Sequence, residues 1–256
     1  KNIRSRGGKV IVINPVIEKG LVKFNIPSDP KSLFFGSKIA SEYIQVKPGG
    51  DLALFSGLAK YIIMKGTINS AFIDNATEGF DTFSRAIQKL SWEEIEYSSG
   101  IKREEIEMIG DYYAKSKNTI FSWCMGITHH PHGTATVQQI VNLALVRGMV
   151  GKKHAGLLPI RGHSNVQGIG SMGVTPKLKK DIFDQLLKLG VSLSSIKGFD
   201  TLACIKSAEK NEMDFSFCLG GNLYGSNPDS NLTTNSLSKI ETIVYVSTSL
   251  NTGHIW

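Results

Sequence analysis

The sequence contains no long apolar run and no recognisable export signal. None of its 256 residues lies in an apolar stretch of the roughly 18 residues that a transmembrane helix needs. The segment Lys1–Arg6 is basic, lacks the apolar centre of a signal peptide and does not begin with methionine. We therefore expect a cytoplasmic location, no membrane segment in this chain, and a chain that is part of a longer protein.

Cysteine is scarce, and the motifs of two common hydrolase classes are missing. The three cysteines, Cys124, Cys204 and Cys218, form no CxxC pair and lie in apolar or helical contexts. This pattern favours buried, reduced thiols over disulfides or metal ligands. The sequence has neither a GxSxG nucleophile motif nor an HExxH zinc motif, so it does not support hydrolase chemistry of those kinds.

Positive charge is in excess but is not concentrated in one segment. Lysine and arginine number 29 and aspartate and glutamate 22, which gives a net charge of +7. This balance favours anionic partners, and a polyanionic cofactor and a nucleic acid both fit it.

Apolar periodicity and capping residues predict alternating strands and helices. Buried strands are predicted at Lys9–Ile13, Thr119–Met125, Phe215–Leu219 and Thr242–Val246. Helices are predicted at Asp51–Gly66, with Asp51 as the N-cap, and at Lys102–Lys117, Thr136–Arg147, Asp181–Leu189, Leu202–Asn211 and Ser230–Ile240. The alternation predicts an α/β fold with two Rossmann-like, mostly parallel sheets flanked by helices.

The stretch between Gly148 and Gly173 is rich in glycine and lacks periodicity, which predicts a crossover between two domains. We place the domains at residues 1–155 and 156–256. Ligands of open α/β sheets bind at the carboxyl ends of the strands. We therefore expect two edges facing a shared cleft, one carrying Asn14, Asp51 and Gly126 and the other Gly220, Gly221 and Thr248.

The most informative segment is Arg161–Gly168, in which only Val166 is apolar. Neither a helical nor a strand period fits it, so it is predicted to be a loop. Its arginine, two glycines and polar side chains suit a large phosphate-bearing ligand, although a capped turn joining two domains fits equally well. No acidic residue occurs from Gly148 to Lys180, so Arg161 has no obvious local partner.

Two further motifs carry less weight. Gly168–Gly173 matches the GxGxxG dinucleotide fingerprint, but the residues before it do not form a predicted strand and no acidic residue follows at the required distance. The segment His129–His132 holds three histidines, but its proline forbids a regular helix and no further metal-binding side chains complete a zinc site. We expect neither a nicotinamide site nor a metal site there.

Taken together, the motifs resemble the central portion of the catalytic α subunit of molybdopterin oxidoreductases, most closely the formate-dehydrogenase-like branch. Val12–Pro15 resembles the strand and turn that receive a guanosine, Lys47–Leu54 resembles the family's PGxDxAL segment, and Met125–His129 resembles its GMGxTQ turn. The other matching segments, in the family's order, are Asn142–Gly148, Gly156–Pro159, Arg161–Gly168, Leu219–Asn222 and Ser247–His254.

The resemblance implies a bis(molybdopterin guanine dinucleotide) cofactor with Mo or W, and a two-electron reaction on a small anionic substrate. It places Arg161 and His163 near the metal and the substrate. The implied cofactor-binding residues are Asn14, Gly50, Asp51, Met125, Gly126, Thr128, His129, Gly162, Ser164, Asn165, Gln167, Gly168, Gly220, Gly221, Asn222, Thr248, Asn251 and His254. His129 and His163 stand where formate dehydrogenases often have glutamine, so the resemblance does not specify formate.

The resemblance also implies which parts of the enzyme lie outside this chain. An iron–sulfur region and the residue that ligates the metal are expected before Lys1, and a β-barrel cap after Trp256. No metal ligand is expected within this chain, which by itself should be inactive. An electron-acceptor protein or subunit is an expected partner, and a nucleic acid is not. The alternatives are a cofactor-binding or scaffold module that has lost catalysis, and a nicotinamide-dependent dehydrogenase.

Overall fold

The computed structural model describes residues 2–194 and 196–255. The chain divides into two compact units, Lys1–Ser164 and Asn165–Trp256.

The first unit contains most of the helices and three pairs of strands. Its helices are α1 (Asn2–Ser5), α2 (Lys19–Val22), α3 (Pro30–Phe35), α4 (Asp51–Met64), α5 (Ser70–Ala76), α6 (Phe80–Lys89), α7 (Trp92–Ser99), α8 (Arg103–Lys115), α9 (Met125–Thr128) and α10 (Gly133–Val146). Its strands are β1 (Ile11–Ile13), β2 (Lys23–Phe24), β3 (Ser37–Lys38), β4 (Glu42–Ile44), β5 (Ile120–Trp123) and β6 (Gly156–Pro159).

The second unit has one described strand pair and several helices. Its elements are α11 (Val166–Ser171), α12 (Lys180–Lys188), α13 (Thr201–Glu209), β7 (Phe215–Leu219), α14 (Ser230–Leu237), β8 (Thr242–Val246) and a 3-10 helix at Thr252–His254.

The strands form small sheets, most of them parallel. β1 pairs with β4, β5 with β6, and β7 with β8, all in parallel, while β2 and β3 form an antiparallel pair. The predicted α/β class with helices around parallel sheets is therefore confirmed, but the described strands form four pairs instead of two larger sheets. Because β6 pairs with β5, residues 156–159 lie in the first unit.

Helix α4 is the centre of the core of the first unit. It packs against α6, α7, α8 and α10, and Leu54, Ala59 and Ile62 are completely buried. A helix that is apolar on nearly all sides is stable only when other elements surround it. Lys60 is also buried in this helix, where its ammonium donates hydrogen bonds to the carbonyls of Gln88 and Leu90.

A glycine lets two helices approach α4 closely. A Cβ atom on Gly57 would lie 2.9 Å from Cγ2 of Ile95 on α7 and 3.3 Å from Cδ1 of Ile106 on α8. Both isoleucines are almost fully buried. The space at Gly57 is therefore already filled by its neighbours.

The start of α4 differs from the prediction. Gly50 is the N-cap and makes no side-chain cap bond, and Asp51 is the first residue of the helix instead of the cap. Asp51 is buried at this position. Burial raises the pKa of its carboxyl group, and a hydrogen bond from its own backbone N–H and the nearby His130 partly offset this effect.

The second unit has a much smaller core, formed by Ala208, Leu237 and Ile240. The bounds of β7 and β8 agree with the predicted strands, but the expected burial is wrong. Phe215, Phe217 and Leu219 are 57%, 58% and 75% exposed, because they share the face of β7 that no described element covers. The predicted strand at Thr119–Met125 is also partly exposed where β5 forms.

The three cysteines are more exposed than predicted. Cys124 is exposed, Cys204 and Cys218 are partly exposed, and all three are free, so the expected burial of these thiols is wrong.

Helices α4 and α10 have 14 residues each. In residues 2–194 and 196–255, no helix has the length and apolar character to cross a bilayer.

We predict that Gly57→Ala destabilises the protein. Alanine favours a helix over glycine by about 1 kcal/mol, but the added methyl group collides with Ile95 and Ile106, and overpacking costs about 1–3 kcal/mol. The free energy of unfolding, measured by urea denaturation, should fall. Gly20→Ala is the control, since its Cβ meets no atom within 4 Å. A Gly57→Ala protein more stable than the wild type would contradict this packing.

We predict that Asp51→Asn changes how stability depends on pH. The pKa of Asp51 is raised in the folded state. The contribution of this group to folding stability is therefore fully present below the unfolded pKa, and it is lost as the pH rises through the folded pKa. Asparagine does not titrate. The stability of the variant relative to wild type should therefore increase from pH 4 to pH 7, as measured by urea denaturation at each pH. A constant difference would show that burial does not penalise this carboxylate.

Candidate functional site

The first group of candidate residues follows β1. The N–H group of Asn14 donates to the carbonyl of Ile44 at 3.0 Å, which extends the parallel ladder by one residue. The Asn14 side chain donates to the carboxylate of Glu18 at 2.7 Å and to the hydroxyl of Tyr43 at 3.3 Å. Asn14 is thus placed at the carboxyl end of β1, where its side chain holds the loop that leads to α2.

A tight turn after β4 leads into α4. Gly49 has a φ of 81°, which favours glycine, and a Cβ atom on Gly50 would lie 2.7 Å from the carbonyl oxygen of Ser98. Lys47 fastens the turn by donating to the carbonyl of Tyr97 at 2.8 Å. Gly49 is therefore favoured by its left-handed backbone conformation, and Gly50 by the close approach of the Ser98 backbone.

The loop after β5 meets this turn. His130 Nδ1 lies 3.7 Å from the position that a Cβ atom on Gly49 would occupy, and His130 also acts electrostatically on Asp51. Since β1 and β4 are parallel and in register, their carboxyl ends lie at the same edge of this pair. The approach of His130 to Gly49 brings the loop after β5 to the turn that follows β4. Among the candidate residues after β5, Met125, Gly126 and Thr128 lie in the short helix α9 and His129 follows it, and all four are exposed.

His130 was not among the predicted site residues, but in the folded chain it lies close to the turn at Gly49. The sequence feature that pointed to His130 was its position next to His129, in a polar segment that follows a predicted strand. No group of three or more His, Cys, Asp or Glu side chains in residues 2–194 and 196–255 is arranged to hold a metal ion.

The loop after β6 carries the two residues that were predicted to be catalytic. Arg161, Gly162, His163 and Ser164 are all exposed. Arg161 makes no ion pair or hydrogen bond within the part of the chain that the structure describes. Its charge is therefore available to a ligand. Because Arg161 is exposed, no desolvation cost requires an anion beside it.

Only part of Arg161–Gly168 is a loop. Asn165 adopts the left-handed conformation with a φ of 54° and precedes α11, which contains Gln167 and Gly168. A Cβ atom on Gly168 would lie 2.1 Å from Oδ1 of Asn165, so the asparagine side chain packs directly on this glycine. The prediction of a loop through Gly168 is wrong, because the chain becomes helical at Val166.

Gly168 and Gly170 of the GxGxxG match lie within α11, and the residues directly before Gly168 belong to the same helix and not to a strand. The dinucleotide fingerprint needs a strand immediately before the first glycine. The structure therefore agrees with the interpretation that this match is not a nicotinamide site.

In the second unit, two strand-end loops are joined. Gly220, with a φ of 76°, and Gly221 follow β7, and a Cβ atom on either would meet no atom within 4 Å. The Asn222 side chain donates to Oγ1 of Thr252 at 2.8 Å and accepts from the N–H of Gly225 at 2.9 Å. The loop after β7 and the loop after β8 therefore meet, as the parallel pairing of these strands requires.

The loop after β8 contains the other candidate residues. Thr248 is exposed. The side chain of Asn251 accepts from the N–H of Gly253 at 2.9 Å, and the His254 ring lies 4.9 Å from the ring of Tyr245. Burial raises the pKa of the Tyr245 phenol, and Cys218 adds to this effect.

Ser247 is a further residue that sequence reasoning missed. It follows β8 directly, and its Oγ atom is buried without a hydrogen-bond partner among the described residues. An unpaired buried hydroxyl is costly, so a ligand atom that bonds to it would remove that cost. The sequence feature that pointed to Ser247 was its position immediately after the predicted strand Thr242–Val246.

Comparisons with known proteins identify the family. The sequence model of molybdopterin oxidoreductases matches residues 2–255. The chain is similar to Protein YdeP of Escherichia coli O6:H1, with 36% identity over 98% of this chain and 35% of that protein. It is 31% identical to formate dehydrogenase H of Escherichia coli K12 over 68% of this chain and 22% of that protein.

A solved structure shows the same fold. Acetylene hydratase from Pelobacter acetylenicus aligns with a TM-score of 0.63 and 17% identity, over 94% of this chain and 35% of that one. The chain spans about a third of the length of the first curated relatives that it matches. Because the family model covers nearly every residue, the chain belongs to the molybdopterin oxidoreductase family.

Proposed function

We propose that this chain is the central cofactor-binding portion of a formate-dehydrogenase-like enzyme with a bis(molybdopterin guanine dinucleotide) cofactor of Mo or W. The enzyme carries out a two-electron oxidation or reduction of a small anionic substrate. The observation that carries the proposal is the gathering of polar loops at the carboxyl ends of the parallel strands in each unit. Membership of the family and similarity to formate dehydrogenase H support it.

The loops of the first unit have the chemistry that a guanine nucleotide needs. They offer exposed backbone at Gly126, the partly exposed amide of Asn14 and the exposed cation Arg161, while the carboxyl group of Asp51 is buried at the start of α4. An amide side chain both donates and accepts hydrogen bonds, and an arginine binds phosphate through a planar pair of donors. The Asn14 side chain is already held by Glu18 and Tyr43, which reduces the entropy lost on binding.

The loops of the second unit fit a second nucleotide. Gly220 and Gly221 leave open space beside the backbone, so a phosphate can approach the N–H group of Gly221. The N–H group of Gly220 already donates to the carbonyl of Val246 at 2.8 Å. Asn222 and Thr252 hold the two loops together, and the unpaired hydroxyl of Ser247 supplies a donor at the end of β8. We propose that Thr248, Asn251 and His254 complete this half of the cofactor site.

When bound, the cofactor would supply a metal that accepts or donates two electrons. In our proposal Arg161 orients the anionic substrate by its fixed charge, and His163 lies beside it as a hydrogen-bonding or proton-carrying group. The residue that ligates the metal is proposed to lie outside this chain. Residues 1–256 alone are therefore expected to show no turnover. An electron-acceptor protein or subunit and a cytoplasmic location remain part of the proposal.

The full-length protein should contain the cofactor when it is produced in cells supplied with molybdate or tungstate. We expect about one metal atom for each polypeptide, as in other enzymes with one metal centre, and release of guanine nucleotide on acid hydrolysis. Elemental analysis and chromatography of the released nucleotide measure both. A folded full-length protein with neither metal nor guanine nucleotide would exclude the proposal, whereas cofactor without turnover of any small anion would favour the scaffold alternative.

Replacing Arg161 tests its proposed role. Arg161→Lys keeps the charge but loses the planar pair of donors, so kcat/KM of the full-length enzyme should fall roughly tenfold or more, which corresponds to about 1.4 kcal/mol. Arg161→Ala should cost more. Arg85→Lys, on the exposed side of α6, is the matched control and should leave kcat/KM unchanged. Wild-type kinetics in both Arg161 variants, at unchanged cofactor content, would show that this loop is structural.

A further inference from the structure

A second polar cleft lies in the first unit, at the amino ends of β5 and β6 and therefore opposite the strand-end loops. Its volume is about 710 Å³, which is within the usual range of roughly 300–1,000 Å³ for small-molecule sites. Segments 67–70 and 114–118 line it, together with Arg147, Met149 and Lys152. None of the candidate cofactor-binding residues is among them.

The cleft is strongly basic. Lys115, Lys117, Arg147 and Lys152 line it, and no acidic residue does. Within residues 2–194 and 196–255, none of these four side chains takes part in an ion pair. Hydrogen bonds from Lys65 and Tyr61 are the main cause of the lowered pKa of the Asp111 carboxyl group, and the charge of Lys115 contributes only weakly.

Arg147 is held in a fixed orientation on the wall of the cleft. Its Nη1 donates to the carbonyl of Thr67 and its Nη2 to the carbonyl of Ser116, both at 2.9 Å. The guanidinium lies 5.4 Å from the ring centre of Tyr113. Its Nε atom is buried and has no hydrogen-bond partner among the described residues. Carbonyl dipoles and a ring face hold the cation, but no negative charge neutralises it.

The lysines are placed around this fixed cation. Lys152 donates to the carbonyl of Lys117, which joins the segment before β6 to the segment before β5. Lys115 is the last residue of α8, where a cation is stabilised by the helix dipole. A positive charge at a helix end is common, but that role alone does not account for four cations around one cleft.

We propose that this cleft binds a small molecule that carries at least two phosphate groups. Each terminal phosphate carries about 1.5 to 2 negative charges at pH 7, so two of them balance the four cations. Arginine and lysine are the side chains that bind phosphate oxygens. The cleft also has hydroxyl and amide groups at Ser70 and Asn69, and the volume admits a nucleotide.

Calorimetric titration with inorganic pyrophosphate and with ADP tests the proposal on the purified protein. Both ligands carry the required phosphates, and their relative affinities distinguish an inorganic from a nucleotide source. The double variant Lys115→Gln/Lys117→Gln should weaken the tighter of the two ligands by about tenfold or more. The matched control Lys31→Gln/Lys89→Gln removes the same charge from exposed positions outside the cleft and should change the affinity by less than about twofold.

Hydrogen exchange locates the binding. Ligand should slow exchange of the amides in segments 67–70 and 116–118, and this protection should be lost in the Lys115→Gln/Lys117→Gln protein. Tighter binding of ADP assigns the cleft to nucleotides, and equal or tighter binding of pyrophosphate assigns it to inorganic phosphates. The proposal is overturned if neither ligand binds at about 1 mM, if both double variants weaken binding equally, or if protection appears only at the strand-end loops.

Discussion

The packing around helix α4 is the constraint on which the first unit depends. The helix is enclosed by α6, α7, α8 and α10, and Gly57 permits the close approach of two of them. The same packing fixes the turn before the helix, because Gly50 lies directly against the backbone of Ser98 at the end of α7. The turn before α4 is therefore positioned by the hydrophobic core, whereas the loop after β1 is held by the side-chain hydrogen bonds of Asn14.

Local chemistry explains why much of the fold was predictable. The strands β7 and β8 were located to the residue. β8 is a run of β-branched and aromatic residues, and β7 has phenylalanine at alternate positions and is followed directly by two glycines. The long helices α4, α8 and α10 were also found, because apolar periodicity marks their buried faces. Strand β6 was missed. Its sequence Gly156–Pro159 has no alternation, and it is a strand only because a distant segment, β5, pairs with it.

The candidate site was predictable to the extent that turn residues follow strands. Asn14, Gly126, Gly220 and Thr248 lie at or just beyond strand ends, as expected from the order of elements. Contacts between loops were not predictable. The approach of His130 to Gly49 and the bond from Asn222 to Thr252 join segments 30 or more residues apart. The burial of the Ser247 hydroxyl likewise depends on tertiary packing, which no local pattern records.

The exposed face of β7 affects how the chain behaves before its folding is complete. Phe215–Leu219 combines aromatic residues at alternate positions with the absence of charge and proline. Short segments of this composition pair readily with one another through their backbone groups. In a newly synthesised or partly unfolded molecule these five residues are a natural point of self-association. A chaperone that binds extended apolar peptides would find a target here.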